Sequence, residues 1–543
     1  MNSMLQHWGR DARRLVAMVR RTRGRFAAIV GPTYRGVQYL WHLLVWSRIS
    51  AGRAGLLPIE LPAEMLARKG LHRAPPRLTV QGTVEASVFS RGFAEVYALL
   101  FANLQRADLL SSYRHAIPGP AFRGVYLWDS AFIAQVWRWW DRRVAQEVLL
   151  AVLELRDGDR LQHVVTEFTR SIYTQPPLVA WSAMEIARCL PRDAAVAFIQ
   201  DVYPVLKDFQ SWLETHRRLD NGLYAWAHPY ESGVENAPRF SNRDESVMRN
   251  VETMAAPDFS SYVVLQLDAL SEMAGRLGLD AEEGAFAAKA ERVRGQMNAL
   301  LWDERDGLYY DLDAAGIHVR VSTVASLLPL WAGVPGPERA RRLVARILAP
   351  RHYGSLIPLP SVDRAERCFE KDMWRGPVWV NTAFGVIQGL LRYGYEREAG
   401  ELAFRLCRGV YGVFAEERQI YEFYDPDALH TKDLRRKQGN WWKALTLGRG
   451  PQRDFVGWSG LVNTLLIEVL LGLRVEQGRV TLRPRLPAEA QGMTWVLSLA
   501  DGGRLSLRSI SPDRFEGSWT VDGQEFSFVT ALAETVDLGD GWC

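Results

Sequence analysis

Cysteine is scarce in this chain. Cys189, Cys368, Cys407 and Cys543 are spread over 543 positions with no C-x-x-C pair and no histidine cluster beside them, which excludes a disulfide framework and a zinc site of ordinary spacing. Long apolar runs are missing as well: Val37 to Trp46 is broken by Gln38 and His42 and falls far short of the ~20 residues that span a bilayer. No signal peptide of the standard form opens the chain, because the charged region runs past Arg25 without a small-residue cleavage site after a compact apolar stretch. The mature chain is therefore expected to start at Met1. A D-D-x-x-D helix is absent too, which argues against a terpene cyclase. Net charge is low, at +4, and its source is local. Residues 1–60 hold ten arginines against Asp11 and Glu60, a net +8, so the remaining chain is net −4. Such a body has no nucleic-acid footprint.

What the chain does have is an ordinary globular balance, 48% hydrophobic and 24% charged, enough to bury a substantial core. Its 20 Trp outnumber its 18 Tyr and 10 His. Core filling accounts for most large aromatics, but the surplus also suits flat apolar platforms for a ligand. Between Leu15 and Val30 apolar and Arg residues interleave, as in a basic amphipathic helix lying on anionic lipid or on a partner; a solvated extension is the plain alternative. The expected location is the cytoplasm, with peripheral membrane contact through residues 1–60. Pro58, Pro62, Pro75 and Pro76 punctuate the stretch from Gly52 to Pro76, which reads as a linker.

From about Val88 to Leu473 helix-like segments alternate with long loops. Phe198, Val202, Val205, Phe209, Trp212 and Leu213 recur at three and four residues, as do Phe286, Ala290, Val293, Met297, Leu300 and Leu301, each set marking one apolar helix face. Roughly a dozen such segments suggest paired helical layers. After Leu473 short alternating runs with turns at Asp501-Gly502 and Asp522-Gly523 predict a small β domain. The expected division is an extension and linker over 1–76, a mainly α domain over 77–473 and a β domain over 474–543.

The loops carry the chemistry. Tyr126-Leu-Trp-Asp-Ser130, Tyr173-Thr-Gln-Pro-Pro177, His228-Pro-Tyr-Glu-Ser-Gly-Val-Glu-Asn-Ala-Pro-Arg239, Trp374-Arg-Gly-Pro-Val-Trp-Val-Asn381, Tyr421-Glu-Phe-Tyr-Asp-Pro426 and Phe455-Val-Gly-Trp-Ser-Gly460 each set an aromatic plane beside a polar group. A sugar needs both, because its C–H faces stack on rings while its hydroxyls need fixed partners. Glycosidic hydrolysis adds a demand for two carboxyl groups. Glu231, Glu235 and Glu422 are the loop carboxylates placed for desolvation, whereas Glu282, Glu283 and Glu291 lie on a helix with basic neighbours. The residues alone do not choose among the three.

Taken together and in order, Trp128-Asp-Ser130, Gln175-Pro-Pro177, His228 to Arg239, Trp374 to Asn381 and Phe423-Tyr-Asp-Pro426 resemble glycoside hydrolase family 63, in its mannosylglycerate and glucosylglycerate hydrolase branch, over roughly residues 88 to 472. The resemblance implies an (α/α)6 toroid, followed here by the β domain, and inverting hydrolysis of an α-linked glucose or mannose from a small glycoside or oligosaccharide. It implies Glu235 as general acid and Glu422 as general base. The sugar pocket it implies uses Trp128, Asp129, Gln175, Trp374, Arg375 and Trp379, and Tyr230, Glu231, Asn236, Arg239 and Trp458 from the same loops are expected beside them. A carbohydrate is the expected partner; no cofactor and no metal is called for. In two places the chain departs from the family pattern: Glu235 stands where Asp is usual, and Met373 where an aromatic often precedes Trp-Arg-Gly-Pro. A trehalase-like or debranching α-glucosidase on the same fold, and a catalytically weakened membrane-associated sugar-binding protein, are the alternatives.

Overall fold

A computed structural model of the protein describes residues 61–83, 86–241, 248–437 and 447–540. The basic segment of residues 1–60, and the amphipathic helix expected within it, lie outside them. No helix among the described residues is long and apolar enough to cross a membrane.

The helices fall into two kinds. Helices α1 (Ala63–Arg68), α2 (Ala86–Asn103), α3 (Leu127–Trp137), α4 (Arg142–Glu154), α5 (Val179–Arg188), α6 (Arg192–His216), α7 (Pro257–Arg276), α8 (Asp280–Leu300), α9 (Pro337–Leu348), α10 (Val380–Arg392), α11 (Glu396–Glu417) and α12 (Leu461–Leu465) follow one another along the chain. Every residue of α3 is buried, and so is nearly all of α10, as expected of helices packed on all sides. By contrast α6 buries Phe198, Ile199, Val202, Leu206, Phe209 and Leu213 along one stripe, and α8 buries Phe286, Ala290, Val293 and Met297. The spacing of three and four read from the sequence is therefore largely the spacing of burial, with Val205, Trp212 and Leu300 only partly buried against the core. Start signals are local: the Asp141 carboxylate accepts the Val144 N–H at the head of α4, and Pro257 opens α7.

Contacts run from α3 to α5, from α5 to α7, then through the short turn Leu328–Leu330 to α10, on to α12 and back to α3. Outside this circuit, α4 packs on α3, α6 on α5, α8 on α7 and α11 on both α10 and α12. The candidate residues all precede the circuit helices or sit in their first turns. Trp128 and Asp129 open α3, Gln175 precedes α5, Trp379 precedes α10 and Trp458 precedes α12. At the other helix ends a cavity of about 500 Å³ is lined by Arg188, Asp268, Glu272, Arg392 and Arg485 among others. Two of its arginines are matched to acids of the same seam, Arg188 to Glu272 and Arg485 to Glu396.

The C-terminal region is a sheet structure, as expected, with one strand from elsewhere. Strand β1 (Arg77–Gln81) is followed, after the helices, by β2 (Leu473–Glu476), β3 (Arg479–Leu482), β4 (Thr494–Ser498), β5 (Arg504–Ser511), β6 (Arg514–Val521), β7 (Gln524–Ala531) and β8 (Val536–Asp540). The larger sheet has the order β1-β4-β5-β6-β7, and the smaller β2-β3-β8. Val80 lies opposite Trp495 and Leu78 opposite Leu497. Trp495 in turn meets Phe89 of α2 at 5.0 Å and Phe404 of α11 at 6.4 Å, which seats the sheet on the helices. Asp522 and Gly523 both have positive φ, 50° and 77°, in the two-residue link between β6 and β7; this is the backbone an Asp-Gly hairpin turn demands.

Two expectations change. Residues 77–81 belong to the C-terminal sheet rather than to the helical part. Residues 61–76 do not form a free linker, because Leu66 and Leu71 are buried in the core, and Lys69 Nζ donates to the carbonyls of Phe101, Ala102 and Leu104 at the end of α2, where a helix leaves acceptors unpaired. Pro62 instead caps α1, and Pro75 and Pro76 lead into β1, while Pro58 lies outside the described residues.

Candidate active site

Four tryptophans from three loops form one aromatic cluster. Trp374 stacks on Trp379 with centroids 3.6 Å apart and an 8° tilt. Trp379 continues to Phe423 at 4.7 Å and to Trp458 at 5.5 Å, and Trp128 meets Trp458 at 5.7 Å and Trp374 at 6.5 Å. Polar groups hold the rings in place. Gln175 Oε1 accepts the Trp128 N–H at 3.2 Å, Asn236 Oδ1 accepts the Trp374 N–H at 3.0 Å, and the Trp458 indole donates to the Glu422 carbonyl at 2.8 Å. These loops lie far apart in the sequence, and the helix ends bring them together.

Glycines allow the close passages. Gly233 has φ +75°, and a Cβ there would meet Trp128 Cζ2 at 2.9 Å; one on Gly457 would lie 2.6 Å from Asp129 Oδ1. Three non-glycine residues with positive φ, Met373, Lys437 and Asp454, stand one or two positions from Trp374, Arg436 and Gln452. Such conformations persist only where the surroundings over-determine them.

The carboxylates differ sharply. Glu422 is buried and its Oε2 accepts the Gln452 N–H at 3.2 Å and pairs with Arg436. Its Oε1 makes no hydrogen bond among the described residues. Glu235 is half-buried on the loop before α7, next to Asn236. Asp129 is 3% exposed, and burial pushes its carboxyl up to about 8, against the pull of its own backbone N–H and Trp128. The third loop candidate, Glu231, has no exposed surface. It accepts from Thr174 N–H, Ala227 N–H and both forks of Arg217 at 2.8 to 3.0 Å. These bonds anchor the loop that also carries Glu235 and Asn236.

Arg239 is held in a similar way. It is 1% exposed, and its two Nη atoms are taken by Asp258 and Asp311 beneath the site. Arg375, equally buried, donates to Glu370 at 3.1 Å and to the Asn236 carbonyl at 3.4 Å, so it ties the Trp374 loop to the Glu235 loop. Tyr230 sits at the rim, 37% exposed, stacked on His163 at 4.5 Å. Asp425 closes on Lys371 at 2.7 Å; its ligand atoms lie within 4.8 Å of those of His430 and Asp433, but the lysine already occupies it. Arg436 was missed by sequence reading. It lies in Leu434-Arg-Arg-Lys437, a charge run of the kind that ordinarily lines a solvated face, and only its 3% exposure sets it apart from exposed Arg435.

Apolar planes combined with buried, unequal carboxylates define a site for carbohydrate chemistry. Residues 123–433 match the family model of the mannosylglycerate hydrolase MGH1-like glycoside hydrolase domain, and the chain belongs to this family. It is a glycoside hydrolase. Among its relatives is the mannosylglycerate hydrolase of Rubrobacter radiotolerans, 28% identical over 58% of this chain and 77% of that protein. The mannosylglycerate hydrolase of Thermus thermophilus is 29% identical over 55% of this chain and 88% of its own length. The crystal structure of a family 63 mannosylglycerate hydrolase from another strain of Thermus thermophilus, in complex with glucose, superposes with a TM-score of 0.57 at 25% identity, covering 68% of this chain and 98% of that one.

Proposed function

We propose that the protein is an inverting α-glycosidase that releases glucose or mannose from a small glycoside or oligosaccharide, on an (α/α)6 toroid. The circuit of helix contacts and the family membership support the toroid. The observation that carries the mechanism is the state of Glu422, with Oε2 held by Gln452 N–H and Arg436 while Oε1 is left for a water molecule. In this reading the sugar ring lies against the Trp128, Trp374, Trp379 and Trp458 cluster, with Asp129 receiving a hydroxyl. Glu422 takes a proton from water as its oxygen attacks the anomeric carbon, and Glu235 protonates the departing glycosidic oxygen. The relative from Thermus thermophilus, solved with glucose, supports a hexose in such a pocket. Met373, buried before Trp374, replaces the aromatic common in the glycerate branch and points to an acceptor other than glycerate. Residues 1–60 are proposed to bring the protein to an anionic membrane surface.

The test combines a substitution with stereochemistry. Glu422→Gln keeps the shape of the side chain but cannot accept the proton, so turnover should fall by a factor of ~10² to 10⁴ with sugar binding retained. Early-time NMR on an α-linked substrate should show the β sugar first. Wild-type kcat in the variant, or net retention in the wild type, would rule the reading out.

A further inference from the structure

A buried arginine in contact with Glu422 needs a reason, because desolvating a guanidinium costs several kcal/mol unless charges compensate it. The backbone N–H of Arg436 donates to the Arg449 carbonyl and its Nε to the Gly450 carbonyl, both at 3.1 Å. Its guanidinium lies 5.4 Å from the Phe423 ring centroid. Three titratable groups from three segments face it: Glu422 after α11, Glu235 on the loop before α7, and Asp372 just ahead of Trp374. Burial lowers Arg436 to about 10, and the charges of Glu235 and Asp372 act against that fall.

We propose that Arg436 is a positioning residue of the hydrolytic site: it fixes Glu422 through Oε2 so that Oε1 is presented to water, and it stays beside both carboxyl groups as negative charge passes from one to the other. The inference rests on the assignment of Glu235 and Glu422 above. In one turnover a water O–H bond breaks, its proton goes to Glu422 Oε1, and the oxygen bonds the anomeric carbon. The glycosidic C–O bond breaks, its electron pair stays on the leaving oxygen, and that oxygen takes the proton of Glu235. One carboxylate exists before the reaction and one after it, but they are different residues. A fixed cation in contact with Glu422 and in electrostatic reach of Glu235 compensates both states without rearrangement, which is the economy of a preorganised site.

The test uses the full-length enzyme and its best α-glycoside, with kcat, KM and the pH profile of kcat/KM measured for wild type, R436K and R436M. R436M should lose on the order of 10²-fold in kcat, as expected for a displaced base, with KM changed far less. Its acidic limb should rise by about 1 to 3 pH units, because an opposite charge at contact distance favours ionisation by that amount. R436K keeps the charge and should leave the limb near its wild-type position. R436Q gives the same reading as R436M if the methionine variant does not fold. A neutral variant whose acidic limb stays in place, whatever its rate, would reduce Arg436 to a packing role and overturn the proposal. Glu235→Gln and Glu422→Gln are measured alongside. Wild-type kcat in either would defeat the acid–base assignment itself, whereas loss in both with an unmoved R436M limb would defeat only the role of Arg436.

Discussion

Asp129 lies in the first turn of α3, next to Trp128, and the first turn of a helix ordinarily favours a negative charge there. Burial wins at this position, holding the carboxyl up to about 8. The consequence for stability has a definite sign. An acid whose folded pKa exceeds its unfolded value binds more protons in the folded state, so its contribution is complete below about 3.8 and is lost as pH rises toward about 8. Thermal melts of wild type and Asp129→Asn should therefore converge near pH 4 and separate by pH 8.5, with the asparagine variant the more stable at the higher pH. Equal slopes would show that Asp129 ionises freely in the folded protein. The partners of single residues were the least legible feature of the sequence. Glu231 and Glu235 stand four apart in one loop and looked interchangeable; the difference is Arg217, which reaches Glu231 from the end of α6. Arg239 and Arg436 differ from solvated arginines only through acids brought in from distant segments.

Loops of this length hold their shape through such anchors. Glu231 and Arg217 form a two-pronged pair in which the carboxylate has no exposed surface and the arginine very little. Arg217→Met strips the cation and leaves the charge buried, which should cost ~3–5 kcal/mol in chemical denaturation. Arg217→Met combined with Glu231→Leu should recover part of that loss, and a double variant weaker than the single would refute the pairing as the source. Elements themselves were readable where burial is one-sided. The stripes of α6 and α8 and the Asp522-Gly523 hairpin follow from spacing and turn chemistry alone. β1 was not, because a five-residue run beside prolines declares no partner, and its partner stands at the other end of the chain.

At the scale of the whole molecule the charge is divided, with +8 on residues 1–60 and −4 on the remainder. Each basic residue near an anionic surface contributes on the order of 1 kcal/mol, screened by salt. Deleting residues 1–60 should leave kcat/KM unchanged and abolish sedimentation with phosphatidylserine vesicles at low salt. Identical sedimentation of the full-length and shortened proteins would leave the segment a plain extension.

The pairing of β1 with β4 also orders events in time. When Arg77–Gln81 leaves the ribosome, Thr494–Ser498 is still about 400 residues from being made, and at ~5–20 residues per second it arrives ~20 to 80 s later. Leu78 and Val80 spend that interval without the strand that covers them, and α3 waits nearly as long for α12. A strand made late in synthesis thus releases one made early from its exposure to aggregation.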